Sequence, residues 1–123
     1  MGLKMFARVI GILFLILGVL GFFMKDLLGI IHLDSMHNVI HLAVGILGLL
    51  ASAQEGTSRL FARVLGVVYV LMGIVGFFVP ELFGMMHVEW ADNVLHLVVG
   101  AAALYLGFTA ADSIKRAKFS RSA

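Results

Sequence analysis

The chain has no cysteine, one proline and little charge: of its 123 residues only 13% are charged. Without cysteine it has no disulfide, no thiolate metal site and no nucleophilic thiol. The scarcity of charge, with 62% hydrophobic residues and a mean hydropathy of +1.09, excludes an ordinary soluble domain. No nucleic-acid partner is expected.

What the sequence does contain is four long apolar runs, at about 3–24, 36–53, 60–79 and 91–111. Crossing a hydrocarbon core of about 30 Å takes roughly 20 helical residues, and each run comes near that length. Four spans leave no room within residues 1–123 for a separate soluble domain, so the chain is expected to be a single transmembrane domain. Lys4 and Arg8 precede the first run, as in a signal peptide, but no A-x-A cleavage signal follows. The third run also copies the first, so the first span is expected to stay in the mature protein.

The copy is extensive. Residues 6–52 align with 61–107 at a constant offset of 55 without a gap, and FARVIGILFLILGVLGFF matches FARVLGVVYVLMGIVGFF. This pattern predicts an all-α four-helix bundle in the membrane, built from two tandem helical hairpins. A two-span unit repeats in the same orientation, so the pseudo-twofold axis relating the hairpins should lie along the membrane normal.

Charge sets the direction. Lys4, Arg8, Arg59, Arg63, Lys115, Arg116, Lys118 and Arg121 lie at the N-terminus, the middle connection and the tail, whereas Lys25 is the one basic residue at the other two connections. Both termini are therefore expected in the cytoplasm, with 112–123 as a basic cytoplasmic tail weakly attracted to anionic lipid. Asp26, Asp34, Glu81, Glu89, Asp92, His32, His37 and His87 fall on the opposite side, and His41 and His96 slightly deeper. Arg8 and Arg63 are close enough to the cytoplasmic end to snorkel to the headgroups. The two connections on the acidic side are rich in apolar residues and read as interfacial segments, with Trp90 as an anchor. Pro80 ends the third span where Lys25 follows the first.

Residues three and four apart share a helix face, which gives the second span a stripe of Asn38, His41, Gly45, Gly48 and Ser52. The fourth span repeats it as Asn93, His96, Gly100, Ala103 and Gly107. Spans one and three carry the matching seam: Gly11, Phe14, Gly18, Gly21 and Gly66, Tyr69, Gly73, Gly76. In lipid, small residues mark where backbones approach closely, so stripe and seam should face the bundle interior. That favours a compact bundle over a wide pore.

Three roles are open for the repeated histidines. His41 and His96 can tie the hairpins together by bonding to Asn38, Asn93, a backbone carbonyl or each other, at about 0.5–2 kcal/mol per contact. His37, His41, Asp92 and His96, two i, i+4 pairs at corresponding positions, also form a nitrogen and oxygen ligand set suited to Zn²⁺ or Cu²⁺. The third role is haem held between His41 and His96, with Gly45 and Gly100 leaving space for the ring.

The repeated N-x-x-H-L-x-x-G, Asn38, His41, Leu42, Gly45 and Asn93, His96, Leu97, Gly100, resembles a family of small bacterial four-span membrane proteins known only as a domain of unknown function. The resemblance covers most of the chain and implies a bacterial inner-membrane setting. It implies no activity.

A proton-coupled exporter needs a membrane-embedded carboxylate, and every Asp and Glu here lies near a span end or in a connection. A channel would need a polar lining through the cytoplasmic half. The expectation is a non-enzymatic structural or accessory protein without a cofactor, packing against lipid, other membrane proteins or further copies of itself. A zinc, copper or haem b binding protein is the alternative.

Overall fold

A computed structural model describes residues 2–24, 26–27, 31–32, 34–79 and 90–110. Four helices account for nearly all of them: α1 Leu3–Gly21, α2 Ser35–Ala51, α3 Glu55–Phe78 and α4 Trp90–Thr109. Three, α1, α3 and α4, are long and apolar enough to cross a membrane, whereas α2 has 17 residues and falls short of that length. Between α1 and α2 a minimal antiparallel pair, β1 Asp26–Leu27 with β2 Ile31–His32, occupies the first acidic-side connection. Lys25, Pro80, Glu81, His87, Glu89 and the 112–123 tail lie outside the described residues.

Side-chain hydrogen bonds set the start of α2 and the junction of α2 with α3. Asp34 caps α2, its side chain accepting from the His37 N–H at 2.8 Å. α3 starts at Glu55, earlier than the apolar run at residue 60, because its polar first turn folds back on the end of α2. The Thr57 and Ser58 hydroxyls donate to the Ala51 carbonyl at 2.6 and 2.9 Å, which closes the α2–α3 connection tightly.

Packing follows the glycines. α1 lies mainly on α2 and α3 mainly on α4, and the two hairpins meet chiefly through α1 and α3. Every stripe and seam residue named above is buried. A Cβ on Gly45 would lie 2.7 Å from the Leu15 backbone nitrogen, and one on Gly11 2.9 Å from the Gly45 carbonyl oxygen. In the second hairpin a Cβ on Gly100 would lie 2.8 Å from the Val70 nitrogen, and one on Gly66 2.9 Å from the Leu104 nitrogen. Gly18 faces Leu42 and the Asn38 carbonyl, just as Gly73 faces Leu97 and the Asn93 carbonyl. At these positions the two hairpins make equivalent contacts at the sequence offset of 55. Most large apolar side chains outside the seams, such as Ile12, Leu47, Leu71 and Val98, point outward.

The fate of Arg63 differs from the expected snorkelling. Its Nε donates to the Gly107 carbonyl at 2.8 Å, and its guanidinium lies 4.4 Å over the Phe108 ring. Arg59 donates to the Gly107 and Ala110 carbonyls at 2.9 and 2.6 Å. The last carbonyls of a helix lack intrahelical donors, and in apolar surroundings the two guanidinium groups supply them. Gly107 makes room for this, since a Cβ there would stand 2.9 Å from Arg63 Cγ. Its counterpart in the first hairpin, Ser52, instead bonds the Leu49 carbonyl at 2.7 Å, and Arg8 stays exposed.

Two outcomes follow from the seam and the cap. Gly45→Ala is expected to cost about 1–3 kcal/mol by overpacking, and Gly45→Leu to prevent closure of the hairpin. Gly56→Ala, where a Cβ meets open space, should leave thermal unfolding in detergent unaltered or raise its midpoint. An unshifted midpoint for Gly45→Leu would place that face in lipid. Arg63→Ala should speed hydrogen exchange of the last α4 amides relative to Arg8→Ala, and equal protection in the two would remove the cap from the argument.

Candidate metal centre

The Asp34 cap fixes where α2 starts and thereby which side chains turn inward. His37, Asn38 and His41 follow within two turns, at 1%, 2% and 3% exposure. On α4, Trp90 stands 66% exposed at the first position, and Asp92, Asn93 and His96 face inward at 1%, 2% and 2%. All six residues expected as a polar or ligand cluster are therefore inside the bundle at the same end.

Three of them converge. One ring nitrogen from each of His37, His41 and His96 lies within 4.8 Å of the other two. The His37 and His41 ring centroids are 4.4 Å apart, and His37 meets His96 edge-on at 5.9 Å. Asp92 is buried on the preceding turn of α4 but does not belong to this trio. It holds the place on α4 that His37 holds on α2.

Phe14 and Tyr69 close the cluster on its deeper side. Phe14 lies 5.3 Å from the His41 ring, Tyr69 5.0 Å from His96, and the two aromatic rings stack on each other at 5.6 Å. Sequence reasoning placed both on the packing seam without seeing them as walls of a site. The usable signal was their spacing: they are separated by the same offset as His41 and His96, and so must meet at the same level of the bundle.

The polar atoms do not satisfy one another. Both nitrogens of His37, Nδ1 of His41 and of His96, and Oδ1 of Asn38 and of Asn93 are buried with no hydrogen-bond partner among the described residues. The expected bonds from histidine to asparagine or carbonyl are not made at these six atoms. Asn38 instead fills the hollow over Gly21, where any Cβ would collide with its amide. A buried polar group without a partner costs about 1–3 kcal/mol, so His37, with neither nitrogen partnered among the described residues, carries that cost most directly.

The surroundings discriminate between ligands. A haem between His41 and His96 needs the space one turn deeper, at Gly45 and Gly100. That space is filled by the backbones of α1 and α3, within 2.8 Å of where each Cβ would stand. The residues do not fit a macrocycle. They fit a single ion, for which three neutral imidazoles at short range are a sufficient nitrogen donor set.

Comparison with known proteins gives a family. Residues 4–109 match the domain of unknown function DUF4383, and the chain belongs to that family. No curated protein and no solved structure matches it.

If the His37 nitrogens are unpartnered, His37→Leu should leave the metal-free protein as stable or stabilise it by up to about 1–3 kcal/mol, the cost of the buried group removed. Thermal unfolding in a chelating buffer reads this out. A lowered midpoint would mean that His37 is held by bonds the metal-free bundle relies on.

Proposed function

We propose that this family member is a four-span inner-membrane protein that binds one transition-metal ion, zinc or copper, within its bundle at His37, His41 and His96. The observation that carries the reading is the convergence of three buried imidazoles from two different helices, each with a ring nitrogen that has no hydrogen-bond partner among the described residues. A tetrahedral zinc with bonds of about 2.0–2.1 Å holds its ligand nitrogens roughly 3.4 Å apart. Nitrogens that start no more than 4.8 Å apart reach that spacing by small rotations of the rings. The fourth position is left to water or to Asp92, and Asp92→Asn tells the two apart by its effect on affinity.

Placement in the membrane rests on charge and length. The bundle end carrying Lys4, Arg8, Arg59 and Arg63 faces the cytoplasm under the positive-inside rule, which puts the histidines toward the extracytoplasmic side and the hairpin axis along the membrane normal. The 17 residues of α2 rise about 25 Å, a mismatch that local thinning of the bilayer absorbs. The outward apolar faces contact lipid, partner membrane proteins or further copies. We assign the chain an accessory role and no catalytic step.

Elemental mass spectrometry of the detergent-purified protein, equilibrated with zinc or copper and dialysed, tests the reading. One ion per chain is expected in the parent and none in a folded His41→Ala, His96→Ala variant. No stoichiometric metal in the parent would overturn the reading and leave the histidines as packing residues, and iron with haem absorbance would overturn it in favour of a macrocycle.

A further inference from the structure

We infer that the metal site is blind: its ion enters and leaves at the acidic end of the bundle, and none passes through to the basic end. The inference rests on the metal site proposed above and adds which side of the membrane supplies its ion.

Toward the basic end the site is closed by packing. The His41 and His96 rings lie against Phe14 and Tyr69, which stack on each other at 5.6 Å. Leu3, Phe6, Ile10, Ala62, Leu65 and Ala103 belong to the same buried cluster and fill the interior below that stack. Past Tyr69, the next buried polar side chains among the described residues are Ser52 and Ser58, whose hydroxyls donate to the Leu49 and Ala51 carbonyls. α2 rises about 16 Å from His41 to Ser52, roughly half of a 30 Å hydrocarbon core. An ion moving that way would shed its water with no side chain to replace it, a cost that excludes the route.

The flank between α2 and α3 is apolar as well. Ile40, Met72 and Val75 pack there at the level of the histidines. Lower down a cleft reaches Tyr69, and its walls include Val44, Leu47, Leu65 and Val68. Its hydroxyl, that of Thr57 at the basic end, is committed to the Ala51 and Gln54 carbonyls. Such a cleft admits a hydrocarbon chain and turns away a hydrated cation.

Polar groups lie on the other side of the trio. Asp34, partly exposed, stands one turn from His37, and Asp92 stands one turn from His96. A cation arriving from the acidic end therefore meets carboxylate oxygens before the imidazoles. With the basic end in the cytoplasm, the ion is drawn from extracytoplasmic water and returned to it. The bundle then holds an ion without conducting it.

Gly56→Cys makes the two ends distinguishable. Gly56 is exposed at the basic end, a Cβ there meets open space, and the chain has no cysteine of its own. The zinc-loaded variant is reconstituted into proteoliposomes, where both orientations occur, and external EDTA is applied and washed out. A membrane-impermeant biotin maleimide then tags the molecules whose basic end faces outward. After solubilisation streptavidin separates the two pools, and elemental mass spectrometry gives zinc per chain in each.

The expected result is loss of zinc from the untagged pool, whose histidine end met the EDTA, and retention in the tagged pool. Loss from the tagged pool, alone or with the other, overturns the blind site and leaves the metal site standing. Retention in both pools overturns exchange at the acidic end. A variant and a parent that hold no zinc before reconstitution overturn the metal site and this inference with it.

Discussion

Inside a hydrocarbon layer a polar group has no water to fall back on, and that constraint accounts for most of what is unusual in this chain. The bundle meets it with local devices. Asp34 accepts from the first turn of α2, the Thr57 and Ser58 hydroxyls serve the carbonyl that ends it, and Arg59 and Arg63 serve the carbonyls that end α4. Even Thr109, on the surface, returns its hydroxyl to the Tyr105 carbonyl. The same rule is left unmet at the histidine cluster, and this contrast, more than the presence of histidine itself, marks the cluster as a site.

The second constraint is that lipid gives helices no reason to associate except shape and directed bonds. Glycine solves this within each hairpin by letting backbones touch, and the solution is used twice with the same contacts. The two halves diverge where polar or bulky groups enter. Tyr69 replaces Phe14, Ala103 replaces Gly48, Gly107 replaces Ser52 and Asp92 replaces His37. The Ser52 and Gly107 difference decides which arginine lies across a helix end and which faces outward.

Much of this was legible in the sequence for a physical reason. Stripe and seam follow from helical periodicity alone, and every residue assigned to them is buried, since spacing on a rigid helix fixes direction before any partner is known. The start of α3 was not legible, because its first turn from Glu55 to Ser58 is polar and only tertiary hydrogen bonds make it helical. The arginine cap was missed for a similar reason: snorkelling and capping demand the same residue at the same depth, and the choice rests on the missing side chain at Gly107. Within the site, spacing identified His37, His41 and His96 as neighbours. It could not show whether their nitrogens would find asparagine or carbonyl partners, since that turns on distances of an ångström across the bundle. Nor could it separate Asp92 from the trio.

The divergence of His37 and Asp92 has a further consequence for the proposed ion. Strict symmetry would have surrounded it with four imidazoles, all neutral, leaving two positive charges uncompensated in a medium where isolated charge is costly. Asp92 stands where a fourth imidazole would, buried one turn from His96 on α4. The trio is therefore asymmetric, with two imidazoles from α2 and one from α4. Of the positions where the two halves differ, this one lies at the cluster itself, an imidazole on α2 answering to a carboxylate on α4.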